Sequence, residues 1–251
     1  MKPLVTFRNL SKKYFTMTAE TLAIEGFSLE IFEGEFIALV GPSGCGKSTI
    51  LTIMAGLIAP SSGTCEFDPT RTITKGYMLQ RDHLFGWRTI LSNALLGLEI
   101  KKEHTSENIE YVKELLCTYG LGDFMYHYPY QLSGGMRQRA ALIRTLALRP
   151  DILLLDEPFS ALDYQTRISV GDDIASIIRK EKRTAVLVTH DLGEAISYAD
   201  RVVVLTARPG AVKKIYNIEL DCVEKTRVER QNSPGFTEYY NNIWEDLDVH
   251  V

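Results

Sequence analysis

Residues 41 to 49 read GPSGCGKST, a run of spaced glycines that ends in a lysine and two hydroxyl residues. Glycines at these intervals let backbone N–H groups turn inward around an anion. Lys47 adds a charge that reaches the outer phosphates of a nucleotide, and Ser48 adds a hydroxyl suited to Mg²⁺. The phosphate-binding candidates are therefore Gly41, Pro42, Ser43, Gly44, Cys45, Gly46, Lys47, Ser48 and Thr49. A second pair of useful groups, Asp156 and Glu157, closes the apolar run ILLLDEP. Asp156 suits the shell of a divalent cation, and Glu157 is placed to orient or deprotonate an attacking water. A third stretch, QLSGGMRQRAALIRTLALRP at 131 to 150, sets Ser133, Gly134 and Gly135 ahead of a basic amphipathic helix. That is the build of a second anion site, and one chain with two such sites raises the question of what the second one binds.

These groups act together only if the chain brings them to one edge of a sheet. EFIALV (35 to 40) reads as a short buried strand that runs into the glycine loop, and KSTILTIMAGLI reads as the helix that follows it. DILLLD (151 to 156), TAVLVTH (184 to 190) and RVVVLT (201 to 206) read as further buried strands. Helical stretches such as YQTRISVGDDIASIIRKEK separate them, so a parallel sheet with crossover helices is expected. Ligands of such open sheets bind at the carboxyl ends of the strands, where Asp156 and Glu157 would sit. Between about 85 and 150 the pattern is helical, and Ile109, Val112, Leu115 and Leu116 share one helix face. The first thirty-odd residues alternate apolar and polar as antiparallel strands do. The expected fold is α/β, with a mostly parallel core sheet, an N-terminal antiparallel β subdomain and an inserted helical subdomain. One domain spans 1–251: a core of about 1–84 and 151–210, helices over about 85–150, and a helical tail over about 211–251. In that tail Phe236, Tyr239, Tyr240, Ile243 and Trp244 fit an amphipathic helix packed on its own domain.

Bulk composition narrows the chemistry further. A chain of 251 residues that is 45% hydrophobic can bury a sizeable core. Its net charge of -4, with Lys and Arg scattered, leaves no electrostatic footprint for nucleic acid. Cys45, Cys65, Cys117 and Cys222 lie far apart without metal-ligand spacing, and reduced cytosolic thiols are expected. No secretory signal is expected in MKPLVTFRNLSKKYF. The longest apolar runs fall short of the about 18 to 20 residues that cross a bilayer.

Taken in order along nearly the whole chain, these motifs resemble the ATP-binding cassette (ABC) family, whose fold is that of a P-loop NTPase. Tyr14 is similar to the aromatic that stacks on adenine, Gly41 to Thr49 to the Walker A loop, and Gln80 in YMLQRD to the Q-loop glutamine. Leu132 to Met136 resemble the signature, Ile152 to Glu157 Walker B, Ser160 to Asp163 the D-loop, and His190 the switch histidine. The resemblance implies ATP and Mg²⁺ as ligands. It implies Glu157, His190 and Gln80 as the catalytic set, and Ser48, Gln80 and Asp156 around the metal. It also answers the question of the second anion site, because in the family Ser133, Gly134, Gly135 and Met136 would close over ATP held by the opposite subunit of a head-to-tail homodimer.

Met136 replaces the commoner glutamine of the signature and, with RDHLFGWRTILSNALLGL at 81 to 98, resembles the branch serving nitrate, sulfonate and taurine importers. Gly86 stands where that branch more often has proline before the tryptophan. The implied function is the ATP-hydrolysing subunit of a membrane importer of small anions or related compounds. Its partners would be membrane-spanning permease subunits together with a solute-binding protein, and its place the cytoplasmic face of the membrane, peripherally. The alternative is a soluble cassette ATPase not coupled to a transporter. A GTPase or kinase is disfavoured by the lack of an N-K-x-D motif and by the signature. His83, His104, His127 and His250 read as surface or structural residues.

Overall fold

The computed structural model describes residues 2–15, 19–160, 162–222 and 226–247. Four strands form the expected parallel centre: β3 (Phe36–Val40), β6 (Ile152–Asp156), β7 (Thr184–Val188) and β8 (Arg201–Leu205). With β5 (Lys75–Met78) and β9 (Val212–Asn217) at its edges the sheet has six strands in the order β5-β6-β7-β3-β8-β9, and β9 alone pairs antiparallel. The central strands read as unbroken apolar runs because both faces of the sheet are covered. Ile37, Leu39, Leu154, Val186 and Val203 turn to one face, while Phe36, Ala38, Leu153, Leu187 and Val204 turn to the other. Each such large side chain taken fully out of water contributes about 1.5 to 3 kcal/mol.

The first face packs on α1 (Lys47–Met54) and on a three-stranded antiparallel sheet, in which β1 (Pro3–Phe15) lies between β2 (Glu20–Phe32) and β4 (Ser62–Phe67). Phe7 and Phe27 meet edge to face there, with ring centroids 5.0 Å apart. The second face carries α4 (Gly134–Leu146), α5 (Tyr164–Lys180) and α6 (Leu192–Tyr198), with α2 (Ile90–Ile100) and α3 (Ser106–Thr118) packed beyond them. Between residues 85 and 150 the regular structure is entirely helical. Ser, Thr or Asp side chains cap most of these helices, among them Thr89, Thr105, Ser133, Asp163 and Asp191.

The expected helical tail over 211–251 needs correction, because it opens with β9, whose sequence VKKIYN exposes two lysines and buries Tyr216. An edge strand of that kind keeps its polar face in water and shows no long apolar run. Helix follows in α7 (Arg227–Asn232) and α8 (Phe236–Asp246). The aromatic stripe of α8 divides, with Phe236, Tyr239 and Ile243 packed on the core while Trp244 is 53% exposed. β4 and β5 also escape the sequence reading, being short and interrupted by glycine.

Candidate nucleotide site

β3 ends at Val40 and hands the chain to the glycine loop. Gly44 and Gly46 take φ values of 74° and 102°, which favour glycine. A Cβ on Gly46 would lie 2.9 Å from Ile24 Cγ1 and 3.0 Å from the Ala23 carbonyl, so β2 presses directly on the loop. Gly46 is the N-cap of α1 and offers no side chain, which leaves the first N–H groups of that helix to an anion. Lys47 is only 7% exposed, and its Nζ donates to the carbonyls of Gly41 at 2.7 Å and Pro42 at 3.0 Å. Its ammonium is thereby held over the loop.

At the end of β6, Asp156 Oδ1 accepts from Ser48 Oγ at 2.9 Å, and Oδ2 accepts from the Tyr77 hydroxyl at 3.3 Å. Burial pushes the Asp156 carboxyl above the ordinary carboxylate range, against the pull of those two hydroxyls. A hydroxyl and a buried carboxylate side by side are the hard oxygen donors that a divalent cation takes alongside phosphate oxygens, so the residues present fit Mg²⁺. Gln80 lies toward Glu157 instead: its Nε2 donates to Glu157 Oε2 at 3.2 Å and to Ser160 Oγ at 3.3 Å.

Glu157 has φ 44°, an uncommon conformation for a residue with a side chain, while its amide donates to Val188 O at 2.9 Å. Such strain persists only where the surroundings enforce it, and it clusters at active sites. The pairing of Asp156 with Val188 sets the ends of β6 and β7 together and so brings His190 Nδ1 to 3.4 Å from Glu157 Oε2. Ser160 donates to the Glu157 carbonyl at 3.0 Å, and Asp163 caps α5 by accepting from Thr166 N. Ala161, between them in the D-loop segment, lies outside the described residues.

Tyr14, Gly41, Ser43, Gly44, Gly46, Lys47, Ser48, Thr49, Glu157 and His190 wall one cavity of about 520 Å³. Pro42 contributes its carbonyl to Lys47, and the Cys45 thiol is buried behind the loop. Tyr14 is 40% exposed at the cavity wall, its hydroxyl sits 3.3 Å from Thr49 Oγ1, and Lys12 Nζ lies 5.3 Å from its ring centroid. Thr21, Ala23 and Arg208 line the same cavity and escaped the sequence reading. Arg208 donates Nε to the Gly44 carbonyl at 3.2 Å from the TARPG turn that follows β8. The signal for it was a lone cation in a Pro-Gly turn at the carboxyl end of a strand.

Ser133, Gly134, Gly135 and Met136 are not among the residues that wall this cavity. Ser133 Oγ accepts from Met136 N at 3.3 Å as the cap of α4. A Cβ on Gly135 would lie 2.5 Å from Thr166 Cγ2, so the glycine is also what lets α4 approach α5. Met136 is half-buried against the helical core.

A polyphosphate cradle with a strained carboxylate beside it, at the carboxyl edge of a parallel sheet, is the arrangement of a nucleoside triphosphate hydrolase. The profile of the ABC transporter family matches residues 24–160. The chain is 42% identical over 244 residues to the uncharacterized ABC transporter ATP-binding protein YtlC of Bacillus subtilis, covering 96% of this chain and 94% of that one. It is 35% identical to the nitrate import ATP-binding protein NrtD of a Synechocystis species, covering 94% and 91%. Among solved structures, the ATP-binding cassette MJ0796, a dimer bound to ADP and phosphate in a post-hydrolysis state, superposes with a TM-score of 0.73. It is 30% identical, over 86% of this chain and 99% of that one. The protein therefore belongs to the ABC transporter family and is an ATP-binding, ATP-hydrolysing subunit.

Proposed function

We propose that this ATPase powers a membrane importer of small anions or related compounds, of the nitrate, sulfonate and taurine kind. It would act as a homodimer bound peripherally to the cytoplasmic face of membrane-spanning permease subunits that a solute-binding protein supplies. The relative named for nitrate import supports the branch, and no described helix is long and apolar enough to cross a membrane.

In this reading the loop N–H groups and Lys47 hold the β- and γ-phosphates, and Tyr14 stacks on adenine. Ser48 and Asp156 would hold Mg²⁺, with Gln80, which here lies toward Glu157, joining them from beside that carboxylate, and the cation would supply charge neutralisation on the phosphate oxygens. Glu157 orients the attacking water and accepts its proton, and His190 and Gln80 both hold the Oε2 oxygen of the Glu157 carboxylate. Ser133, Gly134, Gly135 and Met136, which lie away from their own chain's cavity, would close over the γ-phosphate bound by a partner copy. Tyr14→Ala is then expected to weaken ATP binding by about 1 to 3 kcal/mol while Tyr14→Trp largely keeps it. Titration with a fluorescent ATP analogue checks this, and equal affinity in all three proteins removes Tyr14 from the site.

The observation that carries transport, beyond hydrolysis alone, is the exposed aromatic surface that begins at Phe85, five residues after Gln80. Trp87 is 76% exposed and meets Phe85 with ring centroids 4.9 Å apart. Backbone hydrogen bonds from Ile90 to His127 and from Leu91 to Met125 bring the segment with Tyr126, 68% exposed, against the start of α2. Apolar surface of this kind marks protein contact. Its link to the nucleotide runs through residues 80–83, which α4 straps down. Gln138 Nε2 donates to Gln80 O at 3.3 Å, Arg144 to the carbonyls of Asp82 and His83 at 2.7 and 2.8 Å, and Arg137 pairs with Asp82 at 3.1 Å. Movement of Gln80 with the γ-phosphate would therefore turn the helices and whatever is docked on them.

Trp87→Ala is expected to leave ATP binding and basal hydrolysis within about twofold of wild type, since its ring supports no core packing. It is expected to lose most co-purification with a multi-span membrane protein from detergent-solubilised membranes. Normal recovery of that protein would make the segment structural, and unfolding of the isolated subunit would make it a seal for the helices.

A further inference from the structure

We propose that Arg227, in the C-terminal tail, is a positioning residue for hydrolysis that holds the His190 turn through Asp191. The inference rests on the reading of His190 as a residue that supports Glu157. Arg227 is 3% exposed, and its Nη2 bridges both carboxylate oxygens of Asp191, at 3.1 Å and 2.9 Å. Asp191 follows His190 directly and caps α6 by accepting from Glu194 N at 3.0 Å. Its amide in turn donates to Thr189 Oγ1 at 3.0 Å, and Thr189 Oγ1 donates to Glu194 Oε2 at 2.6 Å. The turn that carries His190 is thus a closed set of short bonds, and the guanidinium is what joins it to the tail.

Charge makes that joint firm. Glu194 is 3% exposed and its Oε1 lies 3.7 Å from Arg227 Nη1, so one buried cation serves two carboxylates. Arg167 of α5 lies 3.8 Å from Asp191 and 3.9 Å from Glu194, while its Nη2 donates to Leu162 O at 3.2 Å. Two guanidiniums and two carboxylates therefore meet at a point where the D-loop segment, the His190 turn and the tail come together. Removing one partner of such a buried set leaves an uncompensated charge, which moves the remaining groups. The fold leaves room for the contact, because a Cβ on Gly193 would lie 2.9 Å from Arg227 Nη2. The Arg227 amide also donates to Asp172 Oδ1 at 2.7 Å, which pins the start of α7 to α5. His190 itself is 59% exposed at its side chain, so little packing fixes the ring and its direction follows from its backbone. A displacement on the order of 1 Å at such a group is enough to lower turnover without disturbing nucleotide affinity.

The test uses the full chain with Arg227→Gln, and with Asp191→Asn as a milder second variant in which the amide oxygen still caps α6. ATPase turnover, ATP affinity and the imidazole NMR resonances are measured for each, with the His190 signal assigned by its loss in His190→Gln. We expect kcat to fall about tenfold with ATP affinity within about twofold of wild type. We also expect the His190 resonance to shift while those of His83, His104 and His127 stay in place. Wild-type kcat in either folded variant, or a slower enzyme with an unmoved His190 resonance, overturns the assignment of Arg227. If His190→Gln itself hydrolyses ATP at the wild-type rate, the underlying reading of His190 falls, and Arg227 has nothing to position.

Discussion

Glu157→Gln is expected to bind ATP with near wild-type affinity and to lose hydrolysis by about 10²- to 10⁴-fold, the range set by removing a positioned general base. The carboxamide has the shape of the carboxylate, and its oxygen can still accept from Gln80 Nε2, now 3.2 Å from Glu157 Oε2. The strained backbone at this position, with φ 44° and its amide tied to Val188, is untouched by the change. What disappears is the proposed proton acceptor for the attacking water. Phosphate release measures the loss, and light scattering in the presence of ATP is expected to show a dimer that accumulates because its nucleotide is not consumed. A variant that turns over at the wild-type rate and stays monomeric with ATP would count against both the base and the two-subunit site.

Asp156→Asn is expected to separate stability from activity. In the nucleotide-free protein, burial raises the Asp156 carboxyl above its unfolded value, so the folded state disfavours the ionised form. The contribution of this group to stability is therefore full below the ordinary carboxylate range and is lost as pH rises through the raised value. At pH 7 the wild-type protein carries a buried charge that asparagine does not, while the amide oxygen still accepts from Ser48. Nucleotide-free Asp156→Asn is expected to melt above wild type at pH 7, with the gap closing at acid pH, below the ordinary carboxylate range, as the wild-type carboxyl is protonated to match the neutral amide. Hydrolysis should fall at least about 100-fold, because a neutral ligand holds a divalent cation poorly. Thermal melts at the two pH values and an ATPase assay decide it, and a destabilised variant at pH 7 or one with retained turnover refutes the assignment. Stability set aside for function is the general pattern at such sites.

Both variants lie in stretches that were legible because the chemistry is local. A glycine loop between a strand and a helix needs only nine consecutive residues, and ILLLDEP carries its carboxylates on the strand that delivers them. The four central strands were equally plain, since burial on both faces leaves no polar residue to break the apolar run. β5 and β9 were not, because an edge strand buries little and its residues are chosen for water as much as for the sheet.

What the chain determines by itself is the set of parts: a phosphate loop, a pair of carboxylates, a capped basic helix, and helices between residues 85 and 150. Which parts meet was decided only in three dimensions. Placing β8 beside β3 brings the turn after β8 over the glycine loop, so that Arg208 reaches the Gly44 carbonyl across 164 residues of sequence. Placing β7 beside β6 sets His190 against Glu157, and folding the tail back over α6 buries Arg227 on Asp191. Strand order and the return of a tail depend on long-range packing between surfaces whose residues are far apart in the chain, and no local spacing records which surfaces those are.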